Sequence, residues 1–120
     1  GFHKWESKQR IPSNICPTLM MDNNDKLTVL GSAGSSRIIS ALTSVITNLI
    51  NGKMTLEAAI SSPRIHLEGE VLHCEPTISH TTYQTKDLVL WEEKSMYFGG
   101  VNACSFSESI ADERRDGFSI

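Results

Sequence analysis

Apolar residues along this chain recur with two different periods. Thr18-Leu19-Met20-Met21 forms a short apolar run, Asp22-Asn23-Asn24-Asp25 interrupts it, and Leu27-Thr28-Val29-Leu30 resumes it. Asp and Asn side chains bond to nearby backbone and tolerate left-handed conformations, so the interruption predicts a turn. The two runs then read as a hairpin, strand 18–21 to strand 27–30. Beyond Gly31-Ser32-Ala33-Gly34-Ser35-Ser36 the period lengthens. Ile38, Leu42, Val45, Ile46 and Leu49 fall on one helical face, which Ile39 and Ile50 widen. Ser35 or Ser36 can cap the start, and Gly52 stands just past the end, where a left-handed residue is favoured. So wide an apolar face predicts a helix packed firmly on a sheet.

Thr55 to Ile60 reads as a second, shorter helix, capped by Thr55 and stopped by Pro63. Arg64 to His66 and Val71 to Cys74 alternate as strands around the turn Glu68-Gly69-Glu70. Pro76 to Asp87 is polar and Thr-rich, a loop or weak helix. Leu88 to Trp91 and Tyr97 to Ser105 read as strands, and the charged run Asp112-Glu113-Arg114-Arg115-Asp116-Gly117 as a self-paired surface turn before a last apolar strand. The order β-β-α-α-β-β-β-β predicts an α+β fold, an antiparallel sheet with helices on one face.

Composition narrows the function classes. With 120 residues the chain makes one modest domain or part of a larger one. Hydrophobic and charged fractions of 39% and 21% are those of a globular protein. A net charge of −3, from 14 acidic and 11 basic residues, leaves no basic footprint for nucleic acid. No apolar run approaches the roughly 20 residues that span a bilayer. The chain opens at Gly1 without a signal-peptide pattern, as a processed or trimmed product would.

Cys16, Cys74 and Cys104 form neither a disulfide framework nor a C-x-x-C motif. Buried free thiols are expected, with one disulfide plus a leftover thiol as the alternative; unpaired thiols favour the cytoplasm over a periplasmic or secreted location. His66, His73 and Cys74 match no zinc spacing, and two strands are not expected to converge them, so no metal or cofactor is predicted. Trp91, Tyr97 and Phe98 read as sheet core rather than a binding stripe. Arg37 could touch a carboxylate, but tying the helix start to neighbouring backbone is the preferred reading.

The glycine-rich turn carries the chemistry. A strand feeding a helix through glycines presents unpaired N–H groups at the positive end of the helix dipole. Phosphate binding and oxyanion stabilisation both use such a turn. The P-loop pattern and its lysine are missing, as is G-x-G-x-x-G. An oxyanion hole or a purely structural turn remains.

Five motifs in order add a resemblance. Arg10-Ile11-Pro12-Ser13-Asn14-Ile15-Cys16-Pro17-Thr18, Gly31-Ser32-Ala33-Gly34-Ser35-Ser36-Arg37-Ile38, Ala58-Ala59-Ile60-Ser61-Ser62-Pro63-Arg64-Ile65-His66, Phe98-Gly99-Gly100-Val101-Asn102-Ala103 and Asp112-Glu113-Arg114-Arg115-Asp116-Gly117 span nearly the whole chain. Together they resemble the γ-glutamyltranspeptidase family, N-terminal-nucleophile hydrolases with a four-layer αββα sandwich built by two subunits. The resemblance implies that residues 1–120 are the C-terminal portion of the small subunit, a single partial domain. It implies that the backbone amides of Gly34 and Ser35 form the oxyanion hole, with Ser35 replacing a glycine. It further implies that Ser13 and Asn14 hold the acyl donor's carboxylate, with Asn14 replacing a serine.

The family's attacking threonine and its amino-group anchor have no match here, so the chain alone is expected to be inactive. The implied partners are the large subunit and the start of the small subunit, and the implied substrate is a γ-glutamyl or related acyl-amide small molecule. The alternative is a family-derived module retained for binding or assembly without catalysis.

Overall fold

The computed structural model describes residues 6–10, 13–78 and 87–119. The predicted hairpin forms from β1 (Thr18–Met21) and β2 (Leu27–Ala33), in antiparallel register from Thr18↔Leu30 to Met21↔Leu27. Its turn is built as the Asp-Asn run predicts. The Asp22 carboxylate accepts from the amides of Asn24 (2.8 Å) and Lys26 (2.9 Å), and Asp25 takes a left-handed φ of 59°. Strand β2 then pairs antiparallel with β6 (Gly100–Ser105), which pairs with β7 (Ser109–Ile110).

Two helices, α1 (Arg37–Ile50) and α2 (Leu56–Ser61), supply the other half of the core. Ile38, Ala41, Leu42 and Val45 of α1 and Leu56, Ala59 and Ile60 of α2 join Leu30, Val101 and Ala103 of the sheet. Removing this apolar area from water is the main stabilising contribution. On the opposite face of the sheet Leu19, Met21, Val29 and Cys104 are exposed among the described residues.

The second sheet comprises β3 (Ile65–Glu68), β4 (Val71–Cys74) and β5 (Asp87–Leu90). The first pair is antiparallel, as expected, but β4 and β5 run parallel. Parallel neighbours need a crossover, and most of that connection, residues 79–86, lies outside the described residues.

Several local expectations are corrected. Ile39 and Ile50 do not widen the buried face of α1 but are 61% and 60% exposed. Ser36 occupies the N-cap position in a helical conformation, and its hydroxyl accepts from Arg37 Nη1 rather than from a helix amide. Past the helix, Lys53 rather than Gly52 takes the left-handed conformation, at φ 49°. Gly52 answers to space instead, since a Cβ there would stand 2.7 Å from the Asn48 carbonyl oxygen. Thr55 caps α2 as predicted, accepting from the Ala58 amide. Tyr97 does not begin a strand. Met96–Phe98 is a 3-10 turn capped by Ser95, and β6 starts at Gly100. Among the described residues the last strand, β7, precedes the charged run instead of following it.

Candidate oxyanion turn and its supports

Strand β2 ends at Ala33, and the chain reverses through Gly34 (φ 140°) and Ser35 (φ 56°) before α1 begins. The Gly34 carbonyl accepts from the Arg37 amide at 3.0 Å and the Ser35 carbonyl from the Ile38 amide at 3.1 Å. Both carbonyls therefore close the first turn of the helix. The amides of Gly34 and Ser35 have no acceptor among the described residues, leaving two donors at the positive end of a 14-residue helix.

Glycine is required at 34 because a Cβ would lie 2.9 Å from the Gly99 Cα. Ser35, by contrast, holds a left-handed conformation that disfavours any side chain by about 1–2 kcal/mol. The backbone shape is thus one suited to glycine, carried by a serine.

Ser13 and Asn14 are exposed, and the Ser13 hydroxyl accepts from the Ile15 amide at 3.2 Å. The register Thr18↔Leu30 sends the segment before β1 toward the end of β2 that feeds the turn. Ser13–Asn14 and Gly34–Ser35 leave the hairpin at the same end. No hydrogen bond joins the two pairs among the described residues.

Beside the turn, Arg37 does meet a carboxylate, contrary to the preferred expectation. Its Nη2 lies 2.6 Å from Glu68 Oε2, and its guanidinium sits 4.3 Å over the Tyr97 ring. The Tyr97 hydroxyl donates to the same Glu68 oxygen at 2.8 Å. That bond, aided by Arg37, holds the Glu68 carboxyl below its usual value, while burial and the carboxylate push Tyr97 up. His66 Nδ1 meets the Ser40 hydroxyl at 2.8 Å, and burial together with the Arg37 charge pushes this imidazole down.

A groove of about 700 Å³ runs between α1 and β3, lined among others by Ser40, Thr43, Thr47, His66 and Glu68. His66 and His73 are register partners across β3 and β4, so the strands do converge them. Yet among the described residues no three His, Cys, Asp or Glu side chains gather as metal ligands. Trp91, Tyr97 and Phe98 pack on one another with centroids 4.9–5.4 Å apart, and Phe98 is 1% exposed. Phe98 is buried, as a core residue should be, but Trp91 and Tyr97 are half-buried and lie outside any strand, so the expected sheet core is only partly formed.

The largest departure is the charged run. Asp112 is not on a surface turn but buried at 0% exposure, with Arg114 at 6%. The Asp112 carboxylate accepts from Arg64 Nη2 (2.7 Å), the Val101 amide (2.8 Å) and the Arg114 amide (3.0 Å). Arg114 in turn grips Glu75, and Arg64 Nη1 donates to the Gly99 carbonyl at 2.9 Å. Four ionisable groups from three chain regions thus make one buried network beneath the Gly34 turn. The cysteines also differ from expectation: all three are free, but Cys16 and Cys104 are exposed and only Cys74 is buried.

A family model described as "Gamma-glutamyltranspeptidase" matches residues 2–119. The acylase ACY 1 proenzyme of a Pseudomonas species is 29% identical over 103 residues, covering 82% of this chain and 18% of that precursor. A glutathione hydrolase proenzyme, also from a Pseudomonas species, is 35% identical over 54 residues, 45% of this chain and 9% of the precursor. A mutant γ-glutamyltranspeptidase from Helicobacter pylori superposes with a TM-score of 0.70 at 28% identity, covering 92% of this chain and 66% of that one. The chain therefore spans less than a fifth of the acylase precursor it matches. The structural likeness bears out an α+β fold within the N-terminal-nucleophile hydrolase sandwich.

Proposed function

Because this chain belongs to the γ-glutamyltranspeptidase family, we propose that it supplies the oxyanion hole and part of the acyl-donor pocket of an amidohydrolase or acyltransferase whose threonine nucleophile lies outside these residues. One observation supports this most directly: the Gly34–Ser35 turn holds two backbone amides without acceptors at the head of α1. In acyl transfer, a hydroxyl attacks the amide carbonyl carbon and the carbonyl oxygen takes up negative charge. Backbone donors already fixed in place stabilise that charge without reorganising. Collapse expels the amine and leaves an acyl-enzyme, which water or an acceptor amine then resolves.

Ser13 and Asn14 are assigned to the donor's carboxylate. A hydroxyl and a side-chain amide can both donate to it, and both residues leave the hairpin at the end where the turn sits. The amide of Asn14 is longer than the serine hydroxyl of the family motif, which favours a donor other than strict γ-glutamyl. The acylase likeness supports the same breadth.

Hydrolysis of a γ-glutamyl anilide and of an acyl-amide panel by the full-length protein, beside residues 1–120 alone, tests this reading. Turnover by the full-length protein and none by residues 1–120 is expected. Turnover by residues 1–120 alone, or failure of the full-length protein on every acyl-amide, contradicts it.

A further inference from the structure

Gly99 is the floor of the turn. Its Cα stands 2.9 Å from the position of a Gly34 Cβ, and a Cβ on Gly99 itself would lie 3.0 Å from the Ala33 carbonyl oxygen. Gly99 adopts a φ of 73°, so neither neighbour nor backbone leaves it freedom to carry a side chain. Two residues hold the backbone just past Gly99. Arg64 Nη1 donates to the Gly99 carbonyl at 2.9 Å, and the Val101 amide donates to Asp112 Oδ2 at 2.8 Å. Arg64 Nη2 closes the ring on that same Asp112 oxygen at 2.7 Å and also reaches the Ile60 carbonyl at 3.1 Å. Arg64 is 1% exposed and Asp112 0%, so water cannot replace either contact.

From this geometry we infer that Arg64 is a positioning residue: acting through Gly99, it sets the height of the Gly34–Ser35 amides against the developing oxyanion. The inference rests on the reading of those amides as the oxyanion hole. A guanidinium is suited to the task because its planar fork serves Gly99, Ile60 and Asp112 at once. A lysine keeps the charge but, as a single point donor, cannot hold the same three acceptors in that fixed geometry. Donors displaced by a fraction of an ångström stabilise the transition state less while leaving substrate binding alone, so the effect falls on kcat rather than KM.

The test uses the full-length enzyme carrying Arg64→Lys, Gly99→Ala, or both, with folding checked by near-UV circular dichroism. Each single variant is expected to lower kcat by about ten- to hundredfold with KM within about twofold. The double variant should lose no more than the worse single one, because both act through one peptide. Multiplying losses, or a loss confined to KM, overturns the inference. Where Arg64→Lys does not fold, Arg64→Gln, which keeps an amide donor for the Gly99 carbonyl, takes its place, and an unchanged kcat in the folded variant rejects the role. A Gly34→Val control separates the two readings. If it is fully active the oxyanion assignment fails, whereas if it is inactive while Gly99→Ala is normal only the positioning role fails.

Discussion

Arg114 and Glu75 form a two-pronged ion pair with both side chains at 0% exposure. Nη2 lies 2.5 Å from Oε2, and Nε lies 2.7 Å from Oε1. Two groups 39 residues apart in sequence are thereby locked beside the end of α2, where Arg114 also donates to the Ile60 and Ser62 carbonyls. Removing one charge from such a pair leaves the other buried and uncompensated. Glu75→Gln should therefore destabilise the full-length protein by about 3–5 kcal/mol. Urea unfolding measures this, and a loss below about 1 kcal/mol, typical of exposed pairs, contradicts the burial.

The same network makes stability depend on acid. Burial alone would raise the Asp112 carboxyl, but the Arg64 charge and the Val101 and Arg114 amides outweigh it and hold the group below its ordinary value. A depressed folded pKa stabilises fully above the unfolded value, about pH 4, and that stabilisation disappears as pH falls through the folded value. The urea midpoint should drop across this acid range. In Asp112→Asn it should start lower and vary less with pH. An equal slope in both proteins contradicts the assignment.

Much of this fold was legible from local pattern. The hairpin, both helices and the β3–β4 pair follow from periodicity and turn residues that act within a few positions of one another. The network was not, because Arg64, Glu75, Asp112 and Arg114 each look like ordinary surface charges in their own neighbourhoods. Only the tertiary fold brings them together, and the sole local hint is Arg64 standing beside Pro63 between two apolar stretches. The Gly34–Ser35 turn lies between these cases. Its glycine and serine could be found in sequence, while the need for glycine at 34 comes from Gly99, 65 positions away.

Ser35 carries a side chain in a conformation that favours glycine, with φ 56°. Ser35→Gly should raise stability by about 1 kcal/mol and keep the amide donor, leaving activity intact. Thermal unfolding and the acyl-amide hydrolysis rates expected on the proposed function check both halves. A lowered melting temperature contradicts the left-handed backbone.

Cys74 is fully buried, and burial raises its thiol pKa. It should resist alkylation by iodoacetamide in the native protein and react once urea unfolds the chain. Peptide mass mapping after a timed pulse locates the label. Labelling of Cys74 under native conditions contradicts its placement in β4.

The central claim is that backbone amides at Gly34 and Ser35 meet the oxyanion. The most direct test is kcat of Gly34→Val, whose side chain would collide with Gly99 and displace the turn, on whichever acyl-amide of the panel the full-length parent hydrolyses fastest. A fall of about 10²–10³-fold, with the near-UV spectrum unchanged, is predicted. Equal kcat in the variant and the parent would contradict it.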